Sequence, residues 1–205
     1  MVVSFEEQQV SDAAWLFLRS NSTATIKFDE NMHDVSYVIN HKGVVVIPVM
    51  VAMLQPCDIV MFIPEYCEDC IEMHVSLQEF KEEGEHASLA DRWQVYHGVS
   101  PDVQWATLEI DAARFHEAFI DGEQLCRENP LGEIEPALCK ELNEHHVAHV
   151  REICKSLTNV VVPEPVVVGV DPLGIDIRAS FGIIRIPTVT PFANSEDVVT
   201  FVSSA

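Results

Sequence analysis

Residues 141–192 read ELNEHHVAHVREICKSLTNVVVPEPVVVGVDPLGIDIRASFGIIRIPTVTPF and carry the clearest fold signal in the chain. The first part of this stretch predicts a helix that carries His145, His146 and His149. Side chains three or four residues apart are neighbours on a helix, so two of the three rings can share one face. Because a neutral imidazole can bind haem iron or a transition metal, this helix is the leading candidate for a functional site.

The second part of the stretch predicts a small sheet. Two apolar strands flank the turn Asp171-Pro-Leu-Gly174, in which Pro172 suits the first central position and Gly174 tolerates a positive φ. A third strand, residues 182–187, follows at once and ends in proline. A helix followed by three strands predicts a small α/β unit in this part of the chain.

This order of elements resembles the small C-terminal domain appended to haem-utilisation proteins of the FMN-binding split-barrel superfamily. The helix of that family carries the pattern His-Met-Asn-x-Asp-His, and the matching residues here are 141–146. Asn143 and His146 match the pattern, whereas Glu141 replaces its first histidine and His145 replaces its aspartate. The resemblance covers about residues 134–203.

The resemblance implies that this helix faces a haem group. His146 is the residue that it places at the haem, followed by His149, with Asn143 and Glu144 orienting the imidazole. His145 is a further candidate because it belongs to the same cluster. The residues themselves leave open an alternative, in which this is a solvated helix face rich in His, Glu and Asn that binds nothing.

The N-terminal half of the chain predicts mainly β-strands. Residues 4–20 have the pattern of a helix, with Ala14, Trp15 and Leu18 on one face. After it, short β-prone segments follow one another without alternating helices, which predicts a closed or half-closed antiparallel barrel. The predicted strands are residues 23–28, 35–40, 44–54, 58–63, 71–77, 92–97 and 103–110.

The remaining segments predict helices and a linker. Residues 126–133, which include Pro130 and Gly132, are the best linker candidate. The predicted helices are residues 112–125, 134–157 and 194–202, the first capped by Asp111 and the last by Asn194 or Ser195. We therefore predict an α+β chain, with an antiparallel split β-barrel over residues 1–127 and a small C-terminal α/β domain over residues 128–205.

The whole order of elements is similar to that of the superfamily, which implies a homodimer that holds its cofactor where two subunits meet. The superfamily holds the FMN phosphate with charge-assisted donors from barrel strands. Where the family supplies a basic Ser-x-Lys-x-x-Asn-Leu stretch, residues 64–77 here contain four carboxylates and no lysine or arginine. The local donors are Thr23, Thr25, Lys27 and Arg92. The residues therefore favour haem over FMN.

The charge of the chain excludes some partners. Acidic residues outnumber basic residues by 33 to 12, which gives a net charge of −21. Such a field repels phosphate backbones and anionic lipids, so we predict no nucleic-acid partner and no membrane association. The longest apolar run, residues 44–54, is too short to span a bilayer and contains Pro48. No basic segment precedes an apolar segment at the N-terminus, so we expect a cytoplasmic protein.

The six cysteines are expected to be free thiols in that compartment. Cys67 and Cys70 have a spacing found in metal and redox sites, and His74 follows them. Four acidic neighbours disfavour a thiolate, and no second pair of ligands lies nearby in the sequence. We therefore interpret these residues as a loop between strands and predict no metal site.

Two further groups of residues suggest ligand contacts but favour structural roles. Trp93, Tyr96, His97 and Trp105 fall on the predicted hairpin of residues 92–110, where aromatic rings more often pack a barrel wall or a dimer interface than stack on a ligand. Arg114 and Arg185 could receive a carboxylate of a ligand. Because cations are scarce here, ion pairs within the protein are the favoured interpretation.

The sequence supports two candidate functions. The first is a haem- or flavin-associated protein that binds a planar cofactor at a dimer cleft, with oxidoreductase activity left open. The second is a cofactor-free dimeric regulatory or interaction scaffold that has lost its FMN site. The sequence contains no Gly-rich phosphate loop, no Gly-x-Ser-x-Gly and no His-Glu-x-x-His, so the common nucleotide-binding and hydrolase classes lack support.

Overall fold

Two separate sheets, each with its own hydrophobic core, are present in the computed structural model, which describes residues 5–55, 57–98 and 104–204. The chain divides into two compact units, Met1–Arg127 and Glu128–Ala205. Ser4 and Val103, the predicted first residues of a helix and a strand, lie outside the described residues. Among the described helices, none has both the length and the apolar character needed to cross a membrane.

The first unit is built on one antiparallel sheet. Its elements are α1 (Phe5–Ser20), β1 (Thr23–Phe28), β2 (Asn31–Ser36), β3 (Val38–Ile39), β4 (Val45–Val49), β5 (Ile59–Ile63), β6 (Ile71–Phe80), α2 (Ala87–His97), β7 (Gln104–Phe115) and β8 (Ala118–Asp121). The strands are ordered β2-β1-β5-β6-β7-β4-β3, and β8 pairs with β7. This half-barrel sheet confirms the predicted antiparallel split barrel.

The burial pattern of the strands explains why the sheet closes around a core. In β6, Ile71, Met73 and Val75 are buried, while His74 and Ser76 on the alternate positions are exposed, as period-two alternation requires. Strand β4 is buried on both faces along most of its length, as its nearly unbroken apolar sequence predicted. Its predicted extent was too long, because residues 51–54 turn into a short 3₁₀ helix.

The predicted strand at residues 92–97 is wrong, because these residues form the second half of α2. Trp, Val and Tyr favour strands when their neighbours are ignored. Ala90, Trp93 and Tyr96, however, follow one another at intervals of three, and all three are buried. One buried stripe at helical spacing outweighs the local preference, since it lets the segment pack against the sheet as a helix.

The predicted helix at residues 112–125, with its cap at Asp111, is also wrong. Strand β7 continues to Phe115, and β8 returns alongside it. The alanines and charged residues of this segment favour a helix locally. Pairing with β6 over ten residue pairs, including Glu72 with Arg114, supplies hydrogen bonds that the sequence near residue 111 does not reveal.

The second unit packs helices on a three-stranded sheet. Its elements are α3 (Glu135–His145), α4 (Val147–Thr158), β9 (Val166–Asp171), β10 (Gly174–Ala179), β11 (Gly182–Pro187) and α5 (Ser195–Ser203). The strands are antiparallel and ordered β11-β10-β9. The small α/β unit and its Asp-x-x-Gly hairpin are confirmed, and so is the cap of the last helix, where Asn194 Oδ1 accepts the amides of Glu196 and Asp197.

The predicted single helix at residues 134–157 is two helices that meet at His146. The backbone there has φ −122° and ψ 14°, outside the helical range. The amide of His146 still donates to Leu142 and its carbonyl still accepts from Val150, so hydrogen bonds continue through the break. Because the buried Leu138, Leu142, Val150 and Ile153 keep helical spacing across it, the sequence pattern did not reveal the break.

Candidate functional site

The break between α3 and α4 brings the three predicted histidines together. His145 ends α3, His146 occupies the break, and His149 lies in the first turn of α4. The ring centroids of His146 and His149 are 5.9 Å apart, with an angle of 46° between the ring planes. His145 and His149 are exposed, and His146 is half-buried. The cluster is therefore accessible to a ligand from outside the unit.

The environment of His146 leaves one ring nitrogen available. Its Nδ1 lies 3.5 Å from the hydroxyl oxygen of Ser203 on α5, at the outer limit of a hydrogen bond. Among the described residues, Nε2 has no hydrogen-bond partner. A proton on Nδ1 would thus point toward the Ser203 hydroxyl, and the lone pair on Nε2 would point away from Ser203. This arrangement is typical of a histidine that binds a metal.

Asn143 is held by the backbone of the sheet and not by a histidine. Its Nδ2 donates to the carbonyl of Val167 at 2.8 Å, and its Oδ1 accepts from the amide of Val167 at 2.8 Å. These bonds join α3 to β9 next to the irregularity in the β9–β10 pairing. Oε1 of Glu144 lies 3.8 Å from Nζ of Lys140. Asn143 therefore positions the helix that carries His146, although its amide does not contact the imidazole.

A concave surface lies on α5 close to the contact with His146. It has a volume of about 510 Å³ and is lined by residues 188–192 and by Glu196, Asp197, Thr200 and Phe201. Thr200 lies three residues before Ser203, so the two share a face of α5. The lining includes the exposed Val189 and the packed rings of Phe192 and Phe201, whose centroids are 5.2 Å apart. Ser203, which contacts His146, thus lies about one helical turn along α5 from Thr200 in the cavity wall.

Of the four predicted phosphate donors of the barrel, Thr25 and Arg92 are engaged within the protein and Lys27 is exposed. Thr25 is 7% exposed, and its hydroxyl donates to Asp34 at 2.8 Å. The Arg92 Nε donates to the carbonyl of Ile39 at 2.9 Å, and its guanidinium lies over the Tyr96 ring. Thr23 is exposed on β1. Thr25 and Arg92 therefore hold the barrel together and present no free cradle for an FMN phosphate.

The aromatic cluster packs α2 against the sheet, which agrees with the structural role favoured above. The indole of Trp93 donates to the carbonyl of Ser36 at 2.9 Å, and the indole of Trp105 donates to Glu82. The two tryptophan rings meet edge to face at 5.4 Å. The His97 ring packs against Trp93 at a tilt of 44°, and its Nε2 donates to the carbonyl of Tyr37 at 3.0 Å.

The stability of the first unit is expected to fall as the pH is lowered, because of His97. Burial lowers the pKa of His97 below its ordinary value of 6.5, although the hydrogen bond to Tyr37 partly opposes this. The unfolded chain therefore takes up a proton before the folded chain does. The contribution of His97 to the free energy of unfolding is fully present above about pH 6.5. It is lost as the pH falls below that value, at up to about 1.4 kcal/mol per pH unit.

Urea unfolding followed by tryptophan fluorescence, between about pH 7.5 and about pH 5.5, measures this slope. His97→Gln keeps a donor for Tyr37 and should flatten the slope, whereas the exposed His41→Gln should leave it unchanged. An equally steep slope in His97→Gln would contradict the assignment.

A groove of about 670 Å³ in the first unit was not predicted from the sequence. Its lining comes from the turn before β4, from α2, from β7 and from the segment after β8, and includes Lys42, Leu89, Glu109 and Cys126. Burial, followed by the charges of Glu109 and Glu123, raises the pKa of the Cys126 thiol. No local signal joins these distant segments.

No group of three or more His, Cys, Asp or Glu side chains among the described residues is arranged to hold a metal ion.

Both arginines for which ion pairs were favoured form them. Arg114 donates to Glu72 at 2.5 Å across β6 and β7. Arg185 contacts Asp171 at 2.6 Å and Asp176 at 2.8 Å, and all three side chains are less than a tenth exposed. Burial lowers the pKa of Arg185, but the two carboxylates outweigh that effect and raise it overall. Neither guanidinium is therefore placed to receive a ligand carboxylate without losing a protein partner.

Comparison with known proteins shows the fold. No protein-family model and no curated protein matches the chain. The solved structure of protein Atu2129 of unknown function, from Agrobacterium tumefaciens, is 11% identical, with a TM-score of 0.72 over 98% of this chain and 96% of that one. A haem-binding protein from Mycobacterium smegmatis is 16% identical, with a TM-score of 0.44 over 95% of each chain. Campylobacter jejuni ChuZ is 12% identical, with a TM-score of 0.47 over 62% of this chain and 66% of that one.

At these identities the likenesses concern the fold alone. The likeness to Atu2129 extends over nearly the whole of both chains, and so includes the sheet of the first unit and the α/β unit that follows it. The strand order confirms the predicted architecture, an antiparallel split barrel followed by a small α/β unit, and Atu2129 shares this fold.

Proposed function

We propose that this protein binds haem through His146, with His149 as the second imidazole of the site. The observation that carries the proposal is the helix break, which holds the two rings 5.9 Å apart and leaves Nε2 of His146 without a protein partner among the described residues. A neutral imidazole nitrogen is a common axial ligand of haem iron. His146 is also the histidine that matches the family pattern.

The cavity on α5 offers apolar surface to the face of a planar ligand. Val189, Phe192 and Phe201 line the adjacent cavity and offer apolar contact to a macrocycle. In the barrel, the engagement of Thr25 and Arg92 argues against FMN. Bound haem would supply iron-centred oxygen chemistry, while this chain binds the macrocycle, orients it and limits the access of water. We further propose that the protein works as a cytoplasmic homodimer whose subunits together enclose the ligand.

A hemin titration tests this function. Purified protein should shift the Soret band at micromolar concentration, and His146→Ala should weaken binding by about tenfold or more through loss of an axial ligand. His149→Ala should have a smaller effect. The matched control is His33→Ala, which removes an exposed histidine of β2 in the other unit and should leave binding unchanged. An unshifted Soret band, or equal binding by His146→Ala and His33→Ala, would rule the proposal out.

A second candidate, the cofactor-free dimeric scaffold, is favoured by a separate observation. Two of the donors expected at a flavin site, Thr25 and Arg92, are committed to Asp34 and to the backbone of Ile39, as in a barrel that has lost its cofactor. Light scattering on the purified protein separates the candidates when it is combined with the titration. A stable dimer that neither binds hemin nor retains a flavin on purification would support the scaffold.

A further inference from the structure

Cys67 and Cys70 occupy the first and last positions of a tight turn between β5 and β6. The amide of Cys70 donates to the carbonyl of Cys67 at 3.5 Å, the bond that closes a four-residue turn. The first and fourth Cα atoms of such a turn are less than about 7 Å apart. Most protein disulfides join Cα atoms about 4.4–6.8 Å apart. The backbone therefore already holds these two free thiols near disulfide spacing.

A guanidinium lies beside this turn. Arg114 stands directly opposite Glu72 in the β6–β7 pairing, and Cys70 precedes Glu72 by two residues on the same side of the chain. Residues in this diagonal relation are within reach of a long side chain. The hydrogen bond with Glu72 raises the pKa of Arg114 most, and the charges of Glu72, Cys70 and Tyr66 add to this, which places the Cys70 sulfur within electrostatic range of the guanidinium. The guanidinium can therefore stabilise negative charge that develops on the Cys70 sulfur during thiol–disulfide exchange.

The other cysteines with assigned shifts are less suited to reaction. Burial, together with nearby carboxylates, raises the pKa of the Cys57 and Cys126 thiols, and burial raises that of Cys154. A raised pKa lowers the thiolate fraction at neutral pH. Cys67 and Cys126 are both exposed at the surface, and Cys67 shares its turn with the thiol of Cys70. A mixed disulfide on Cys67 therefore has a second thiol within the same turn to resolve it.

We propose that Cys67 and Cys70 form a redox-active dithiol that undergoes thiol–disulfide exchange with low-molecular-weight disulfides such as oxidised glutathione. The exposed Cys67 thiolate attacks one glutathione sulfur, which forms a mixed disulfide and releases one glutathione thiolate. The Cys70 thiolate beside Arg114 then attacks the Cys67 sulfur and releases the second glutathione thiolate. Two protein thiols are oxidised, one glutathione disulfide is reduced, and the two thiol protons pass to the two glutathione thiolates. This activity is independent of haem binding.

Mass spectrometry of the reduced full-length protein after incubation with oxidised glutathione tests the proposal. The expected product has lost two hydrogen masses and carries no glutathione. Cleavage after glutamate should then give peptides 66–68 and 69–72 joined by a disulfide, which excludes Cys57 and Cys126 as partners. Cys70→Ser should stop at the mixed disulfide on Cys67. Separate glutathione adducts on both cysteines, or oxidation of Cys126 before this pair, would overturn the proposal.

Two matched variants, Arg114→Gln and Glu72→Gln, test the role of Arg114 in the second exchange step. Arg114→Gln should slow the second exchange step by roughly twofold to fivefold at low ionic strength, with the difference disappearing at high salt, because the charge acts at an exposed site. Glu72→Gln breaks the same ion pair but keeps the guanidinium, so it should not slow that step. Equal slowing in both variants would show that only the ion pair matters and would remove Arg114 from the mechanism.

Discussion

Arg185→Met is expected to lower the free energy of unfolding of the second unit by about 3–5 kcal/mol, because it leaves two buried carboxylates without a cation. Arg185 holds one carboxylate with each terminal nitrogen, Asp171 at 2.6 Å and Asp176 at 2.8 Å. Its side chain is 5% exposed, so water cannot replace the lost partner. The three residues come from β9, β10 and β11, so the loss would affect every strand of this sheet.

The measurement must report on the second unit specifically. All three tryptophans and all three tyrosines precede residue 128, so aromatic fluorescence reports only on the first unit. Hydrogen exchange of the β10 amides gives the stability of the second unit directly. Arg151→Met, which removes an exposed arginine bonded to the carbonyl of Pro163, is the control and should cost less than about 1 kcal/mol.

Replacing the two carboxylates together with the arginine tests whether uncompensated buried charge causes the loss of stability. Arg185→Met combined with Asp171→Asn and Asp176→Asn should recover much of the lost stability, since no buried charge then remains uncompensated. The amide side chain introduced by Asp171→Asn keeps an oxygen for the amide of Leu173, which donates to Asp171 at 2.8 Å. A loss below about 1 kcal/mol in Arg185→Met alone would show that the ion pairs contribute little.

Gly122→Ala is expected to destabilise the first unit by at least about 3 kcal/mol, more than any other single substitution considered in that unit. A Cβ at this position would lie 1.6 Å from the carbonyl oxygen of Ile110 and 2.5 Å from its carbonyl carbon. Both are backbone atoms of β7, so no side chain can turn aside. Ile110 adjoins the irregularity in the β6–β7 pairing, where the backbone of Gly122 approaches closely.

Gly84→Ala separates this steric effect from the general cost of replacing glycine. Gly84 has φ +62°, and a Cβ added there would have no atom within 4 Å, so alanine should cost only about 1–2 kcal/mol of backbone strain. Urea unfolding followed by the fluorescence of Trp15, Trp93 and Trp105 compares the two variants. Equal losses would mean that the contact with Ile110 is not what constrains residue 122.

Sequence patterns predicted the elements whose signals are local. The Asp171–Gly174 turn, the Asn194 cap and the alternation of β6 each depend on residues close together in the chain, and each is confirmed. The scarcity of cations predicted that Arg114 and Arg185 form ion pairs, but not which carboxylates they contact. Asp176 is nine residues from Arg185 and Glu72 is forty-two from Arg114, and strand pairing alone brings them together.

Local signals in the amino-acid sequence were sufficient to predict the half-barrel, the small α/β unit and three histidines on a helix, because turn residues, caps and apolar periodicity act over a few residues. Long-range packing was needed to establish that residues 92–97 are helical, that residues 111–121 extend and pair as strands and that the long helix breaks at His146. In each case the free energy that selects the conformation comes from burial or pairing against segments distant in the chain. Local preferences of a few tenths of a kcal/mol per residue cannot outweigh such contacts.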